Sequence, residues 1–215
     1  MESVLENTAE HVRQASLGES SGHDWWHVYR VWKMALRLGE TEGADLLTVQ
    51  LAALLHDIAD WKFHAGDLSA GPRAARVWLE AQLVGAPVVA HVCAIIERVS
   101  FKGAGVLTEM PSIEGRVVQD ADRLDALGAI GIARAFAYGG HDGRPLHDPA
   151  SAPVLHESAE AYRNDRGSTI NHFHEKLLLL KDRMQTRTGR AVAEIRHAYM
   201  MSYLQQFHAE WQGLL

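Results

Sequence analysis

Apolar residues recur along this chain at the three- and four-residue spacing of amphipathic helices, and no stretch of useful length alternates with the two-residue period of a strand. The pattern predicts an all-α fold, a helical bundle without significant β-sheet. The predicted helices span residues 2–17, 24–39, 72–83, 87–99, 113–127, 130–137, 168–185 and 190–212, and a further helix begins near residue 45.

The succession of predicted helices indicates one domain that spans residues 1–215. Its core is expected at about residues 20–140, and the C-terminal helices at 168–212 are expected to pack on that core. Between them, residues 139–167 hold glycines, three prolines and scattered charge. This composition predicts a long loop or lid, with one short helical turn around residues 154–162.

The predicted helix that begins near residue 45 ends in an abrupt change from apolar to ionisable side chains. Residues 51–55 are all apolar, His56 and Asp57 follow directly, and Asp60 comes three residues later. Ionisable groups at the end of a core helix are costly unless a metal, a partner or a ligand compensates them. We therefore interpret the His56-Asp57 pair as a candidate metal site.

Composition and charge narrow the class of protein. The 215 residues are 47% hydrophobic, enough to bury a sizeable core, and the formal charge is -6 with a pI near 6.1. This acidic balance argues against a dedicated surface for nucleic acid or for an anionic membrane. The single cysteine, Cys93, excludes an intramolecular disulfide and fits a reducing compartment. No signal peptide and no membrane-spanning apolar run is visible in the sequence, so we expect a cytoplasmic protein.

Two further residues complete a candidate ligand set with the His56-Asp57 pair. His27 lies on the second predicted helix, and Asp122 lies on a later one. Two imidazoles and two carboxylates suit a borderline divalent ion such as Mn, Fe, Co, Ni or Zn better than a calcium site. Four protein ligands on an octahedral ion leave two positions open, and a water held there becomes a nucleophile near neutral pH.

Each of these residues alone also has an ordinary structural role. A single histidine in a helix usually packs or forms a cap, and a His-Asp pair is common by chance. The aspartates at 120, 122 and 125 could line a solvated face or form salt bridges to Arg116 or Arg123. Only a joint pattern can separate these roles from a metal site.

The order His27, His56-Asp57, Asp122 resembles the H…HD…D metal signature of the HD-domain phosphohydrolase superfamily. The flanking residues GHDWWHVYRV at 22–31 and QDADRLD at 119–125 resemble its first-histidine and last-aspartate motifs. Longer runs, which extend the resemblance to nearly the whole chain, are similar to the YpgQ-like bacterial HD proteins, a group known as metal-dependent nucleotide pyrophosphohydrolases. These runs are AALLHDIADWKFH at 52–64, SFKGAGV at 100–106, IEGRVVQDADRLDALGAIGIARAFAYGG at 113–140 and INHFHEKLLLL at 170–180.

The resemblance implies an HD domain with a metal site formed by His27, His56, Asp57 and Asp122. Asp122 is chosen among the nearby aspartates because it alone precedes the Arg-Leu pair that the motif uses. Superfamily members with two metals insert further histidines before the last aspartate, whereas this chain has no adjacent histidine pair there. One divalent transition metal is therefore implied, with manganese favoured over nickel, cobalt, iron, zinc and magnesium.

The implied reaction converts a nucleoside or deoxynucleoside triphosphate to the monophosphate and pyrophosphate, by attack of a metal-activated water on the α-phosphorus. Lys62, Lys102 and His23 are expected to hold the negative charge of the phosphates. Asp60 and Lys62 are the predicted catalytic residues, because Asp60 is similar to the acid-base carboxylate of relatives that read HD-x-x-E. Asp60 is one methylene shorter than that glutamate, and its alternative role is a helix C-terminal carboxylate paired with Lys62 or Arg30.

Two other functions stay open on the sequence alone. An HD phosphomonoesterase or phosphodiesterase acting on nucleotides would use the same metal and water with a different leaving group. A non-catalytic regulator would bind the nucleotide without turnover. In each case the expected partner is a nucleotide, with no membrane and no stable nucleic-acid partner, and a homodimer is left open.

Overall fold

The computed structural model describes residues 2–18, 24–59, 67, 69–101, 103–106, 108–158, 160–161 and 167–215. Every regular element within these ranges is a helix and none is a strand, which confirms the predicted all-α fold. The α-helices are α1 Glu2–Ala15, α2 Trp25–Glu42, α3 Leu46–Leu55, α4 Ala70–Ala81, α5 Ala86–Val99, α6 Ile113–Asp125, α7 Gly128–His141, α8 Thr169–Glu175 and α9 Arg187–Trp211, and a 3-10 helix spans Leu177–Arg183. None of these helices is long and apolar enough to cross a lipid bilayer.

The chain divides into two compact units. Unit 1 comprises residues 1–101 and 107–122, and unit 2 comprises residues 102–106 and 123–215. The single domain that we expect from the sequence stays a prediction.

Helix α3 is the buried centre of unit 1. Its residues 51–55 have no exposed surface, and helices α1, α2 and α5 pack against it. Because α3 is surrounded by other helices, it is apolar around most of its circumference and not only along one stripe. Asp45 caps its N-terminus by accepting hydrogen bonds from the amides of Leu47 and Thr48. Because α3 is buried, the polar residues that directly follow Leu55 lie inside unit 1.

Helix α2 begins where the sequence predicts and ends later. Asp24 is its N-cap and accepts a hydrogen bond from the amide of His27 at 2.9 Å. The helix continues past its predicted end at Gly39 and is closed by Gly43, whose φ of 71° is left-handed. A Cβ added to Gly39 would lie 3.1 Å from the Leu46 side chain. Gly39 therefore allows a close approach between α2 and the start of α3 and does not end the helix.

The predicted helix 168–185 is two elements in unit 2. Helix α8 ends at Glu175, Lys176 has φ -138° and ψ -61°, and the 3-10 helix follows. Leu177 and Leu180 are the buried residues of that 3-10 helix. Their three-residue spacing places both on one side of the 3-10 helix.

The region between α7 and α8 is partly as predicted. Helix α7 extends beyond its predicted range of 130–137 and runs to His141, whereas residues 142–158 form no helix. The short turn expected at 154–162 is non-helical over 154–158 and helical at 160–161, and the rest of it lies outside the described residues.

One segment of unit 2, residues 103–106, accepts three hydrogen bonds from an arginine in a distant part of the chain. Arg183 donates hydrogen bonds from Nη1 to the carbonyl oxygens of Gly103 at 3.2 Å and Val106 at 3.1 Å. Its Nη2 donates to the carbonyl oxygen of Ala104. Gly103 has φ 121°, a conformation that L side chains rarely adopt, so the turn needs glycine there. Arg183 therefore fixes the backbone that directly follows Lys102.

Candidate metal centre

Four side chains from three helices of unit 1 converge on one small volume. Nε2 of His27 lies 3.2 Å from Nε2 of His56. Oδ2 of Asp57 lies 3.3 Å from Nε2 of His27 and 3.4 Å from Nε2 of His56. Oδ1 of Asp122 lies 3.6 Å and 3.8 Å from the same two nitrogens. The structure thus brings together the four residues that the sequence pattern selects as metal ligands.

The local fold explains how each side chain reaches this point. His27 lies in the first turn of α2, which the Asp24 cap holds in place, and its side chain is 1% exposed. His56 is the C-cap of the buried helix α3, and Asp57 follows it in a turn. Asp122 lies in the last turn of α6. The polar end of the core helix therefore meets polar residues from two other helices and not solvent.

A backbone hydrogen bond sets the tautomer of His56. Its Nδ1 lies 2.8 Å from the carbonyl oxygen of Ala53. A carbonyl oxygen can only accept, so Nδ1 carries the proton and donates it, which leaves the lone pair of neutral Nε2 facing the cluster. Metal-binding histidines are oriented by this kind of hydrogen bond from the second ring nitrogen. The role of Ala53 leaves no signal in the sequence, because the hydrogen bond uses its backbone carbonyl and not its side chain.

The spacing of the four donor atoms fits a single divalent ion. Ligand atoms held about 2.1 Å from one ion lie about 3.0 Å apart at right angles and about 3.4 Å apart at the tetrahedral angle. The separation of the two histidine nitrogens and the separations of each carboxylate oxygen from them run from 3.2 to 3.8 Å, at and slightly above those values. Imidazole and carboxylate lone pairs that point at one buried volume repel each other unless a cation or a proton lies between them. The donor set and its geometry therefore fit a borderline divalent metal.

The cluster is closed on one side and open on the other. The side chains of His27 and His56 are each 1% exposed, that of Asp57 is 10% exposed, and that of Asp122 is 27% exposed. Any ligand from solvent must therefore arrive on the side of Asp122.

The three neighbouring aspartates of α6 have different surroundings. Asp120 is fully buried and does not line a solvated face; it lies on a side of the helix nearly opposite that of Asp122. Asp125 forms an ion pair with Arg134 at 2.9 Å in unit 2. Only Asp122 of the three has an oxygen near the two histidine nitrogens of the cluster.

The other predicted site residues are not located by the structure. Asp60, Lys62, Lys102 and His23 all lie outside the described residues. Their predicted roles therefore rest on the sequence alone.

His91 lies on the surface side of α5, although its neighbours in the sequence are apolar. Its side chain is 36% exposed, and its Nε2 lies 2.8 Å from Oγ of Ser112 and 3.7 Å from Oε2 of Glu114. The apolar residues around it in sequence lie on the other faces of α5, so the helix turns His91 towards the surface. It takes no part in the cluster of His27 and His56.

Comparison with known proteins gives consistent results. The family model described as HD domain matches residues 25–127, a range that contains all four cluster residues. The chain is 42% identical to YpgQ of Bacillus subtilis (strain 168) over 211 residues, which cover 94% of this chain and 91% of that protein.

Solved structures agree over nearly the full length. A crystal structure of a protein from Lactobacillus plantarum has 43% identity and a TM-score of 0.87, and the match covers 99% of this chain and 98% of that one. The crystal structure of Bacillus subtilis YpgQ in complex with ADP has 36% identity in the superposition and a TM-score of 0.70, with 94% of this chain and 97% of that one covered.

Proposed function

This chain belongs to the HD-domain superfamily, in the group of bacterial proteins similar to YpgQ, and from that premise we propose that it is a metal-dependent phosphohydrolase of nucleoside triphosphates. The products are the nucleoside or deoxynucleoside monophosphate and pyrophosphate. The metal ligands in this proposal are His27, His56, Asp57 and Asp122, and manganese is the favoured ion.

One observation carries the proposal, namely that the Nε2 atoms of His27 and His56 lie 3.2 Å apart and that one oxygen of Asp57 and one of Asp122 lie within 3.3 to 3.8 Å of both nitrogens. A divalent ion bound there would supply positive charge for a phosphoryl oxygen and would lower the pKa of a water. Structural metal sites usually surround their ion completely, whereas this cluster is open on the side of Asp122. An open side is what a hydrolase needs to admit both water and substrate.

The residues of the chain hold the site in a form ready for such chemistry. The hydrogen bond to Ala53 keeps the Nε2 lone pair of His56 directed at the cluster, and the Asp24 cap keeps the first turn of α2 in place under His27. Both histidines lie within the packed core of unit 1, so neither ring has to be ordered when substrate arrives.

The substrate class follows from the relatives and from the sequence. The solved YpgQ complex holds ADP, which supports a nucleotide as the ligand of this chain as well. Lys62, Lys102 and His23 are proposed to bind the phosphates, and Asp60 together with Lys62 is proposed to assist proton transfer at the attacking water or the leaving group.

The test is a product analysis with matched variants. Purified protein loaded with Mn, Co, Ni, Zn or Mg is incubated with nucleoside tri-, di- and monophosphates, and pyrophosphate and orthophosphate are measured separately. Asp57→Ala should abolish turnover, whereas Asp148→Ala, which removes an exposed carboxylate from a turn in unit 2, should not change it.

The outcomes separate the candidate reactions. Pyrophosphate released from a triphosphate by the wild type but not by Asp57→Ala supports the proposal. Orthophosphate alone would instead identify a phosphomonoesterase, and nucleotide binding without turnover would identify a regulator. Full activity in Asp57→Ala would contradict the assigned site.

A further inference from the structure

The tryptophans of unit 1 differ in their hydrogen bonds and in their exposure to solvent. The indole of Trp32 donates to Oε1 of Gln50 at 3.1 Å, and that of Trp78 donates to Oγ1 of Thr8 at 2.9 Å. Trp26, in contrast, is 60% exposed. Among the described residues its ring partner is Tyr29, which meets it at 80° with 5.9 Å between centroids.

Trp26 is the neighbour in the chain of the cluster residue His27. Trp26 directly precedes His27 in the first turn of α2, and successive side chains on a helix point about 100° apart. The indole therefore borders the helix face from which His27 reaches the cluster. The Asp24 cap and the edge of Tyr29 hold this turn and its ring in place, while most of the indole surface stays open to a ligand.

Positive charge continues from Trp26 along the same side of α2. Arg30, Lys33 and Arg37 follow it by four, seven and eleven residues, the spacing of neighbours on one side of a helix. Lys33 and Arg37 are exposed, and Arg30 is half-buried. A stripe of three cations is a local feature in a chain whose net charge is -6, and it matches the charge of a phosphate chain.

We propose that Trp26 is the platform on which the nucleobase of the substrate stacks. The proposal rests on the proposed function, since it assumes a nucleotide at the cluster. The order of groups along α2 is an aromatic ring, the metal-ligating His27 and then cations, which corresponds to base, α-phosphate and terminal phosphates. Every nucleobase has a π-face, so a stacking platform binds all of them and binds the larger purines more strongly.

Stacking of this kind acts on affinity and not on the chemical step. An aromatic platform stabilises the bound substrate and the transition state by the same free energy. Its loss therefore raises KM and leaves kcat unchanged. Trp26→Ala is expected to raise KM for ATP about tenfold, which corresponds to about 1.4 kcal/mol. Trp26→Phe, which keeps a smaller ring, should recover most of that loss.

The experiment compares Trp26→Ala, Trp26→Phe and Trp211→Ala, the last being a control that removes another half-exposed tryptophan, in unit 2. For each variant, KM and kcat for ATP and CTP are measured with the metal-loaded protein. The inhibition constant of inorganic tripolyphosphate, a ligand without a base, and the Kd of ATP from calorimetry are measured in parallel. The expected result is a larger KM and Kd for ATP in Trp26→Ala alone, with unchanged kcat and an unchanged constant for tripolyphosphate.

Two results would overturn the proposal. Wild-type KM and Kd in Trp26→Ala would mean that no base stacks there, and an equal loss for ATP and tripolyphosphate would mean that the change acts on the phosphate site. Failure of the proposed function is distinguishable, because a wild type that hydrolyses no triphosphate still reports base stacking through the Kd of ATP.

Discussion

Each unit of the molecule contains a pair of histidines in contact, and the two pairs differ in the groups that surround their rings. In unit 1, His27 and His56 face each other through Nε2 atoms 3.2 Å apart, and two carboxylate oxygens lie within 3.8 Å of these nitrogens. In unit 2, His147 and His208 meet edge to face with 5.4 Å between centroids. Among the described residues of unit 2, no carboxylate lies within salt-bridge distance of either ring.

The histidine pair of unit 2 packs within a cluster of aromatic rings. His147 also contacts the rings of Trp211 and Phe207, and its buried Nδ1 has no hydrogen-bond partner in the described structure. Rings that pack by edge and face leave their lone pairs pointing in unrelated directions. Proximity of two histidine rings is therefore no sign of a metal site; convergence of nitrogen and carboxylate lone pairs on one volume is.

The largest expected effect comes from removing one histidine from each group. His56→Ala should lose the bound metal and at least about a thousandfold in kcat/KM, because the loss of a ligand removes the charge on which the reaction depends. His147→Ala should keep both the metal and the activity and lose only packing. Metal content per chain and kcat/KM are measured for both variants. Similar losses in His56→Ala and His147→Ala would contradict the assignment of the metal to the histidine pair of unit 1.

A smaller effect is expected in thermal stability when the metal is removed. A ligand present at a hundredfold excess over its Kd stabilises the folded state by about 2.7 kcal/mol. For a chain of this length that corresponds to a Tm increase of about 5–10 °C when metal is returned to chelated protein.

Asp57→Ala is the matched control for this measurement. It should show no metal-dependent change in Tm, whereas a variant in the aromatic group, His208→Ala, should show the full change. A Tm shift that persists in Asp57→Ala would place the stabilising metal elsewhere in the molecule.

The smallest expected effect concerns a histidine of unit 1 that packs on an aromatic ring. His11 stacks on Trp78 with 3.8 Å between centroids and 4° between planes, and this burial lowers the pKa of His11. The unfolded chain then binds more protons than the folded chain just below the usual histidine pKa. The contribution of His11 to the free energy of unfolding is therefore fully present above about pH 6.5. It is lost as the pH falls through the pKa that His11 has in the folded protein.

Urea unfolding of wild type and His11→Phe across that pH range measures this contribution. Phenylalanine keeps a ring on Trp78 and does not titrate, so the variant should lose less stability than the wild type as the pH falls. Parallel curves for the two proteins would show that stacking leaves the protonation of His11 unchanged.

Much of the architecture around the cluster could be predicted from the sequence. Asp24 and Asp45 have the side chains that cap helices, and both cap helices in the structure. The apolar run 51–55 before His56 predicts a buried helix with a polar end, which is where the structure places it. The family resemblance is confirmed by the match of the HD domain to residues 25–127 and by the likeness to YpgQ, while the reaction and the roles of the site residues stay proposals.

Other features could not be predicted because tertiary contacts decide them. Gly39 predicts a helix end by its propensity, yet its lack of a side chain is used for packing against Leu46. The leucine run after Lys176 fits an α-helix by composition, whereas the structure forms a 3-10 helix there with Leu177 and Leu180 buried. The surface position of His91 depends on the angle of α5 in unit 1, which no local pattern encodes.

The hydrogen bonds from Arg183 to the carbonyls of residues 103–106 bear on the order in which the protein forms during synthesis. Arg183 follows its partners by 77 to 80 residues, so at ribosomal rates it is made about 4 to 16 seconds after them. Asp122, the last residue of the metal cluster, is made well before Arg183. A nascent chain can thus contain every proposed metal ligand for seconds while the backbone next to Lys102 still lacks the hydrogen bonds of Arg183.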